Sequence, residues 1–76
     1  MIDTINKYAS KGLYIGIYPI CEKSGMQWVS YVMIAGERKW MKGEKGCTMS
    51  AFNSFENAYK SVIDYCEKYK GEKSNS

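Results

Sequence analysis

Histidine is absent from the 76 residues. Its absence excludes imidazole acid–base chemistry and histidine metal ligation. A nucleophile here would have to find its base among Lys, Asp or Glu. Arginine occurs once, as Arg38, among eleven basic residues, so the bidentate forks that read phosphates and base edges are nearly unavailable. The three cysteines, Cys21, Cys47 and Cys66, are odd in number and no two have a C-x-x-C spacing. A secreted domain of this size normally carries an even disulfide framework, so three free thiols in a reducing cytoplasm are expected. With no fourth ligand at hand, no metal site is expected, and no cofactor.

Long apolar runs are also missing. No segment approaches the roughly 20 residues that span a bilayer. Residues 1–11 lack the cationic start and apolar stretch of a signal peptide. The expectation is a soluble cytoplasmic protein, in the host cytoplasm if phage-encoded. Neither G-x-x-x-x-G-K-[ST] nor G-x-G-x-x-G is present. Glu56, Asp64 and Glu67 fall on one polar helix face as solubilising charges, without the clustering of a glycosidase pair or a Mg²⁺ site. These absences point away from an enzyme.

What is abundant is aromatic. Seven Tyr, two Trp and two Phe make 14% of the chain, a heavy load for a domain that buries only about 60% of its unfolded surface. The 45% hydrophobic and 25% charged fractions are those of a folded domain. The net charge of +3 is too mild to name a partner.

The periodicities give a single domain over residues 1–71, followed by a polar tail at 72–76. Ile2, Ile5, Tyr8 and Ala9 form one stripe on a short helix over 1–10, with Asp3 as its N-cap and Gly12 as its end; an extended arm is the alternative. Residues 13–20 alternate as a strand, with Leu13, Ile15 and Ile17 on one face and Tyr14, Gly16, Tyr18 and Ile20 on the other. Pro19 marks the strand's end or an edge position. Residues 22–25 form a hairpin loop in which Gly25 takes a positive φ. Residues 27–35 form a second strand that is apolar on both faces. Residues 36–37 turn the chain, and 38–41 begin a third strand around Trp40. Residues 47–52 either resume that strand or form a short fourth one.

The last element is the clearest. Phe55, Ala58, Tyr59, Val62, Cys66 and Tyr69 mark one helical stripe within 53–70. Asn53 with Glu56, or Ser54 with Asn57, caps its start. Glu56–Lys60 and Asp64–Lys68 are i,i+4 pairs, and Gly71 stands where a C′ glycine belongs. The fold class is therefore α+β: a three-stranded antiparallel meander, or four-stranded if 47–52 adds a strand. The C-terminal helix packs on one face, with a short N-terminal helix if 1–10 is helical. The core comprises Leu13, Ile15, Ile17, one row of the second strand, Trp40 or Met41, and the helix stripe. Which row of the second strand faces the helix stays open, because a one-residue shift exchanges them.

The order Leu-Tyr-Ile-Gly-Ile-Tyr, a turn, a Trp-bearing strand, a Gly-rich hairpin and then Phe-Asn-Ser-Phe-Glu-Asn-Ala-Tyr-Lys-Ser-Val-Ile-Asp-Tyr-Cys resembles small proteins of bacteriophages and mobile elements. In these, a Ser/Thr–aromatic–Glu–x–Ala helix start closes an αβββα unit. The resemblance spans Leu13 to Tyr69 and implies a phage accessory protein that binds a host factor; it transfers no site residues. The element order also resembles the double-stranded-RNA-binding domain, whose second helix opens with phosphate-reaching lysines. Here that helix opens Asn53-Ser54-Phe55-Glu56-Asn57, with an acid in their place.

Two surfaces emerge as candidates. One helix covers one sheet face, so the opposite face is left with Tyr14, Tyr18 and either Trp28 or Tyr31. With Trp40, these five residues are the expected anchors for a protein partner or for self-association as a homodimer. The alternative is that the N-terminal segment folds back over this face with Ile2, Ile5 and Tyr8. The second surface is the basic segment 36–46, where Arg38, Lys39, Lys42 and Lys45 would contact nucleic-acid phosphates while Trp40 stacks on a base. Its competing reading is a solvated hairpin with Trp40 in the core. The leading expectation is a non-enzymatic protein-interaction module, a phage-type inhibitor or modulator of a host protein.

Overall fold

The computed structural model describes residues 2–23, 25–48 and 50–69. The order is α1 (Ile2–Ala9), β1 (Leu13–Glu22), β2 (Gly25–Ile34), β3 (Glu37–Trp40), β4 (Ala51–Phe52) and α2 (Phe55–Lys68). This is the expected α+β architecture: an antiparallel sheet with both helices against it. The tail at 72–76 and the proposed cap Gly71 lie outside the described residues.

β2 is the spine. It pairs with β1 along its whole length, from Leu13 opposite Ile34 to Glu22 opposite Gly25. Its other edge is shared. β3 pairs with Tyr31–Ile34, Met41 N–H donates to the Ser30 carbonyl at 3.1 Å, and β4 pairs with Trp28 and Val29. β3 and β4 are thus two pieces of one strand position, separated by an excursion whose described residues are 42–48 and 50.

Several boundaries differ from the sequence expectation, three of them for a clear local reason. Pro19 does not end β1, which runs to Glu22. At an edge position, an imino nitrogen facing outward removes no ladder bond. The second turn is Ala35–Gly36 rather than 36–37. Both residues have positive φ, 54° and 84°, as a two-residue turn matching the strand twist requires. Asp3 sits inside the first turn of α1 rather than capping it. Its charge still suits the positive end of the helix.

The packing answers which row of β2 faces the helix. Val32 is fully buried with Leu13, Met41, Phe52, Ala58, Val62 and Cys66, and Ile15, Ile17, Trp28 and Ile34 pack against this cluster. The inward row is Trp28, Ser30, Val32 and Ile34. Each fully buried valine contributes on the order of 1.5–3 kcal/mol. Met41, and not Trp40, takes the core position of the third strand. The α2 stripe includes Ile63 and Tyr65 beyond the predicted residues, because a helix lying on a sheet buries a wide arc. Ser54 is the N-cap, its Oγ accepting from Asn57 N–H at 3.1 Å. The Glu56–Lys60 and Asp64–Lys68 pairs form at 3.4 and 3.1 Å, both solvent-exposed and worth little.

α1 does not fold over the open sheet face. Its Tyr8 enters the core beside Leu13 and Cys66, so α1 lies on the α2 side. Ile2 remains 72% exposed.

The inward row contains one polar residue. Ser30 is fully buried and its Oγ has no hydrogen-bond partner among the described residues. An unpaired buried hydroxyl costs about 1–3 kcal/mol. Ser30→Ala is expected to raise the unfolding free energy by about 1 kcal/mol, read from urea titration. A decrease of that size would mean that the hydroxyl has a partner.

Candidate functional site

Alternation along the strands places the other rows together on the face turned away from α2. β1 supplies Tyr14, Gly16, Tyr18 and Ile20. β2 supplies Gln27, Val29, Tyr31 and Met33, and β3 supplies Arg38 and Trp40. The register sets Gly16 opposite Tyr31, Tyr18 opposite Val29, Tyr31 opposite Trp40 and Met33 opposite Arg38.

Tyr31 is the centre of this face. Its ring lies over Gly16, where a Cβ would collide with the ring carbons and hydroxyl. The absent side chain is what lets the ring lie against the sheet. Tyr31 meets Tyr18 edge-on at 6.3 Å and Trp40 at 5.2 Å, and Tyr18 meets Trp40 at 6.2 Å. Each such pair contributes about 0.5–1.5 kcal/mol beyond area burial. The Arg38 guanidinium sits 4.8 Å from the Tyr31 ring centre and 5.2 Å from that of Trp40. A position over aromatic rings suits guanidinium better than ammonium. Around this cluster Tyr14 is 57% exposed, and Tyr18 and Trp40 are 42% exposed each.

Four of the five expected anchors therefore share one face. Trp28 does not. It points toward α2 and packs edge-on against Phe55 at 5.4 Å, because its odd register offset from Tyr31 puts it on the other side of β2. Phe55 in turn stacks on Tyr59 at 6.2 Å.

The basic residues of 36–46 do not converge. Arg38 joins the aromatics, while Lys39, opposite Val32, projects from the α2 side of the edge strand. Lys42 borders a hollow of about 390 Å³ between Trp40, Met41 and the α2 residues Ser61, Asp64, Tyr65 and Lys68. Lys45 is exposed on the excursion.

The excursion 42–50 bounds the site, and one carboxylate holds it. Glu44 Oε1 accepts from Asn53 N–H at 2.6 Å, and the Asn57 amide donates to both Glu44 oxygens at 3.2 and 3.4 Å. The charge thereby sits at the start of α2, where it is favoured. Further along, Thr48 N–H donates to Gln27 Oε1 at 3.0 Å. Gln27 and Val29 are thus buried although they belong to the outward row. Gly43, at φ 87°, passes so close to the Ala51 backbone that a Cβ would stand 2.5 Å from its nitrogen. Next to Ser50, the residues Tyr18, Ile20, Val29 and Trp40 enclose a shallow depression of about 290 Å³. In the sequence Glu44 stands as an acid among the lysines of 36–46. Its position between Gly43 and Gly46 is the one local signal of a folded loop.

Of the three free thiols Cys21 is exposed, Cys47 half-buried and Cys66 buried. Burial pushes the Cys66 thiol above its ordinary value, and Cys47 is raised by burial and then by Glu44. Both are less thiolate at neutral pH, and hence less nucleophilic. Burial, with smaller contributions from Glu67, Cys66 and Tyr59, also raises Tyr8. Among the described residues, no group of three or more Cys, Asp or Glu could hold a metal ion, and no helix is long and apolar enough to cross a membrane.

Two substitutions test this construction. Gly16→Ala should displace the Tyr31 ring, lower stability by about 1–3 kcal/mol and weaken the near-ultraviolet circular dichroism of the aromatic cluster. Unchanged spectra would refute the ring-on-glycine contact. Glu44→Ala should cost about 1 kcal/mol and accelerate hydrogen exchange at the Asn53 amide, with Glu44→Gln intermediate. If Asn53 exchanges alike in all three proteins, Glu44 does not hold the loop.

Comparison with protein-family models, with curated proteins and with solved structures finds no match.

Proposed function

We propose that this chain is a non-enzymatic protein-interaction module whose binding surface is the sheet face built from Tyr14, Tyr18, Tyr31, Arg38 and Trp40. One observation carries the reading. Large aromatic side chains stand exposed in a contiguous cluster on a sheet face that neither α1 nor α2 covers. Tyr and Trp present broad amphipathic area at low conformational cost and are the usual energetic anchors of protein interfaces, as is Arg. The edge-on contacts among Tyr18, Tyr31 and Trp40 pre-order the rings, so a partner meets a surface whose side-chain freedom is already reduced. In the phage or mobile-element setting that the sequence resembles, such a module would inhibit or modulate a host protein in the cytoplasm.

A second reading rests on Arg38 lying over Tyr31 and beside Trp40. A guanidinium among aromatic rings also suits stacked bases of a single strand. The scatter of Lys39, Lys42 and Lys45 away from that face weighs against it, since affinity for nucleic acid grows with the number of phosphates neutralised together.

The test is affinity capture from nuclease-treated lysate with the wild type, Tyr18→Ala/Trp40→Ala and the remote control Lys60→Ala. The expected outcome is at least one protein retained by wild type and control and lost from the double variant. Identical captured sets in all three would reject the aromatic face. Binding of short oligonucleotides at about 50 mM salt that falls steeply with added salt would favour the second reading.

A further inference from the structure

A separate cavity lies in the helical layer, away from the aromatic face. It holds about 440 Å³ and opens where the end of α1, the start of β1 and the last turn of α2 meet. That volume is within the range of small-molecule sites. Leu13, Cys66 and Tyr69 give it an apolar wall, and Tyr69 is braced by stacking on Tyr65 with ring centres 6.2 Å apart.

The α1 side of the cavity is cationic. Lys7 and Lys11 both line it, and their ammonium groups lie 5.3 and 5.8 Å from the centre of the Tyr8 ring. Among the described residues, neither has a carboxylate within ion-pair distance. A helix C-terminus favours lysines, but it does not require that both gather over one ring beside a cavity.

Tyr8 supplies an independent observation. It is 4% exposed, and a phenol so buried normally has a hydrogen-bond partner. Its hydroxyl makes no hydrogen bond with the described residues, yet the only buried side-chain oxygen or nitrogen among them that is both unpaired and sealed off is Ser30 Oγ. The Tyr8 hydroxyl is therefore unpaired and open, and the space that Tyr8 lines is this cavity. Burial, and then the Glu67 carboxylate, push it above its ordinary value, so at neutral pH it keeps its proton and can donate.

We propose that this cavity binds a small monocarboxylic acid with an apolar body. The carboxylate accepts from the Tyr8 hydroxyl beside the Lys7 and Lys11 ammonium groups, and the apolar body lies on Leu13, Cys66 and Tyr69. Glu67, on the α2 side of the cavity, sets the charge of the ligand. Two ammonium groups against one carboxylate leave a single positive charge, which a monoanion matches. A phosphate dianion brings a second negative charge against Glu67. A neutral ligand forgoes the charge-assisted contacts. The site does not rest on the aromatic face binding a protein.

The test is a titration of the full chain with phenylacetate, its neutral isostere phenylacetamide and the dianion phenyl phosphate, followed by amide NMR resolved by residue. Phenylacetate should saturate with a Kd of about 1 mM and shift the amides of Tyr8, Leu13, Cys66 and Tyr69, but not those of Tyr31 and Trp40. The amide and the phosphate should each bind at least about tenfold more weakly. Tyr8→Phe, which keeps the ring in the core, should weaken phenylacetate about tenfold. Lys7→Gln/Lys11→Gln should weaken it at least about as much, and Glu67→Gln should tighten it about threefold. No saturation by about 10 mM overturns the proposal. So does phenylacetamide or phenyl phosphate binding as tightly as phenylacetate. Tyr8→Phe and double-lysine variants that bind like the wild type overturn it too, as do shifts confined to the aromatic face.

Discussion

The contact between the Val32 row of β2 and the Ala58–Val62–Cys66 stripe of α2 is the constraint from which the rest follows. β2 is hydrogen-bonded on both edges and apolar on both faces, so it would be stable only with cover on both sides or with one side given over to something else. α2 is a single helix and covers one side. Once Val32 turns toward Val62, alternation along β2 sends Tyr31 the other way, and the register carries Tyr18, Trp40 and Arg38 with it. The exposed aromatic cluster is thus a consequence of the core, not a separate decoration.

α1 completes the same layer. Its Tyr8 joins Leu13 and Cys66 under the sheet, which extends the core at one end and leaves the opposite face bare. The excursion 42–50 works at the other end. It interrupts the third strand position, wraps around the sheet edge from Glu44 at the start of α2 to Thr48 on Gln27, and shields Val29. Between them the two segments decide how much of the outward face remains open, and what remains is Tyr14, Tyr18, Trp40 and their neighbours.

Local signals carried most of the architecture into view. A run with period two from Leu13, a stripe with helical period from Phe55 and turn residues between them make an α+β meander legible without coordinates. Gly16 was legible only as a member of the outward row, and the Tyr31 ring lying on it follows from the register with β2. The cap of α2 was visible as a choice between Asn53 and Ser54, and the hydroxyl won because it reaches the Asn57 N–H. Glu44 was not legible as a tether, since its partners Asn53 and Asn57 lie nine and thirteen residues away and nothing in the spacing of a lone acid among lysines names them.

By itself, then, the sequence determined the first two strands and the hairpin between them, the amphipathic C-terminal helix and an aromatic surplus that one helix could not absorb, while leaving open whether 1–10 is helical and whether 47–52 holds a separate strand. These are properties of neighbouring residues and of periodicity. Only the tertiary structure decided which row of β2 is inside, because Trp28, Val32 and Ile34 are as apolar as Val29, Tyr31 and Met33. Only it decided that Trp28 belongs with Phe55, that Met41 and not Trp40 enters the core, and that Arg38 parts from Lys39. Each of those outcomes is a question of parity. A strand's two faces are related by a shift of a single residue, and the choice between them is made by the volume of distant side chains that must fill the space under α2.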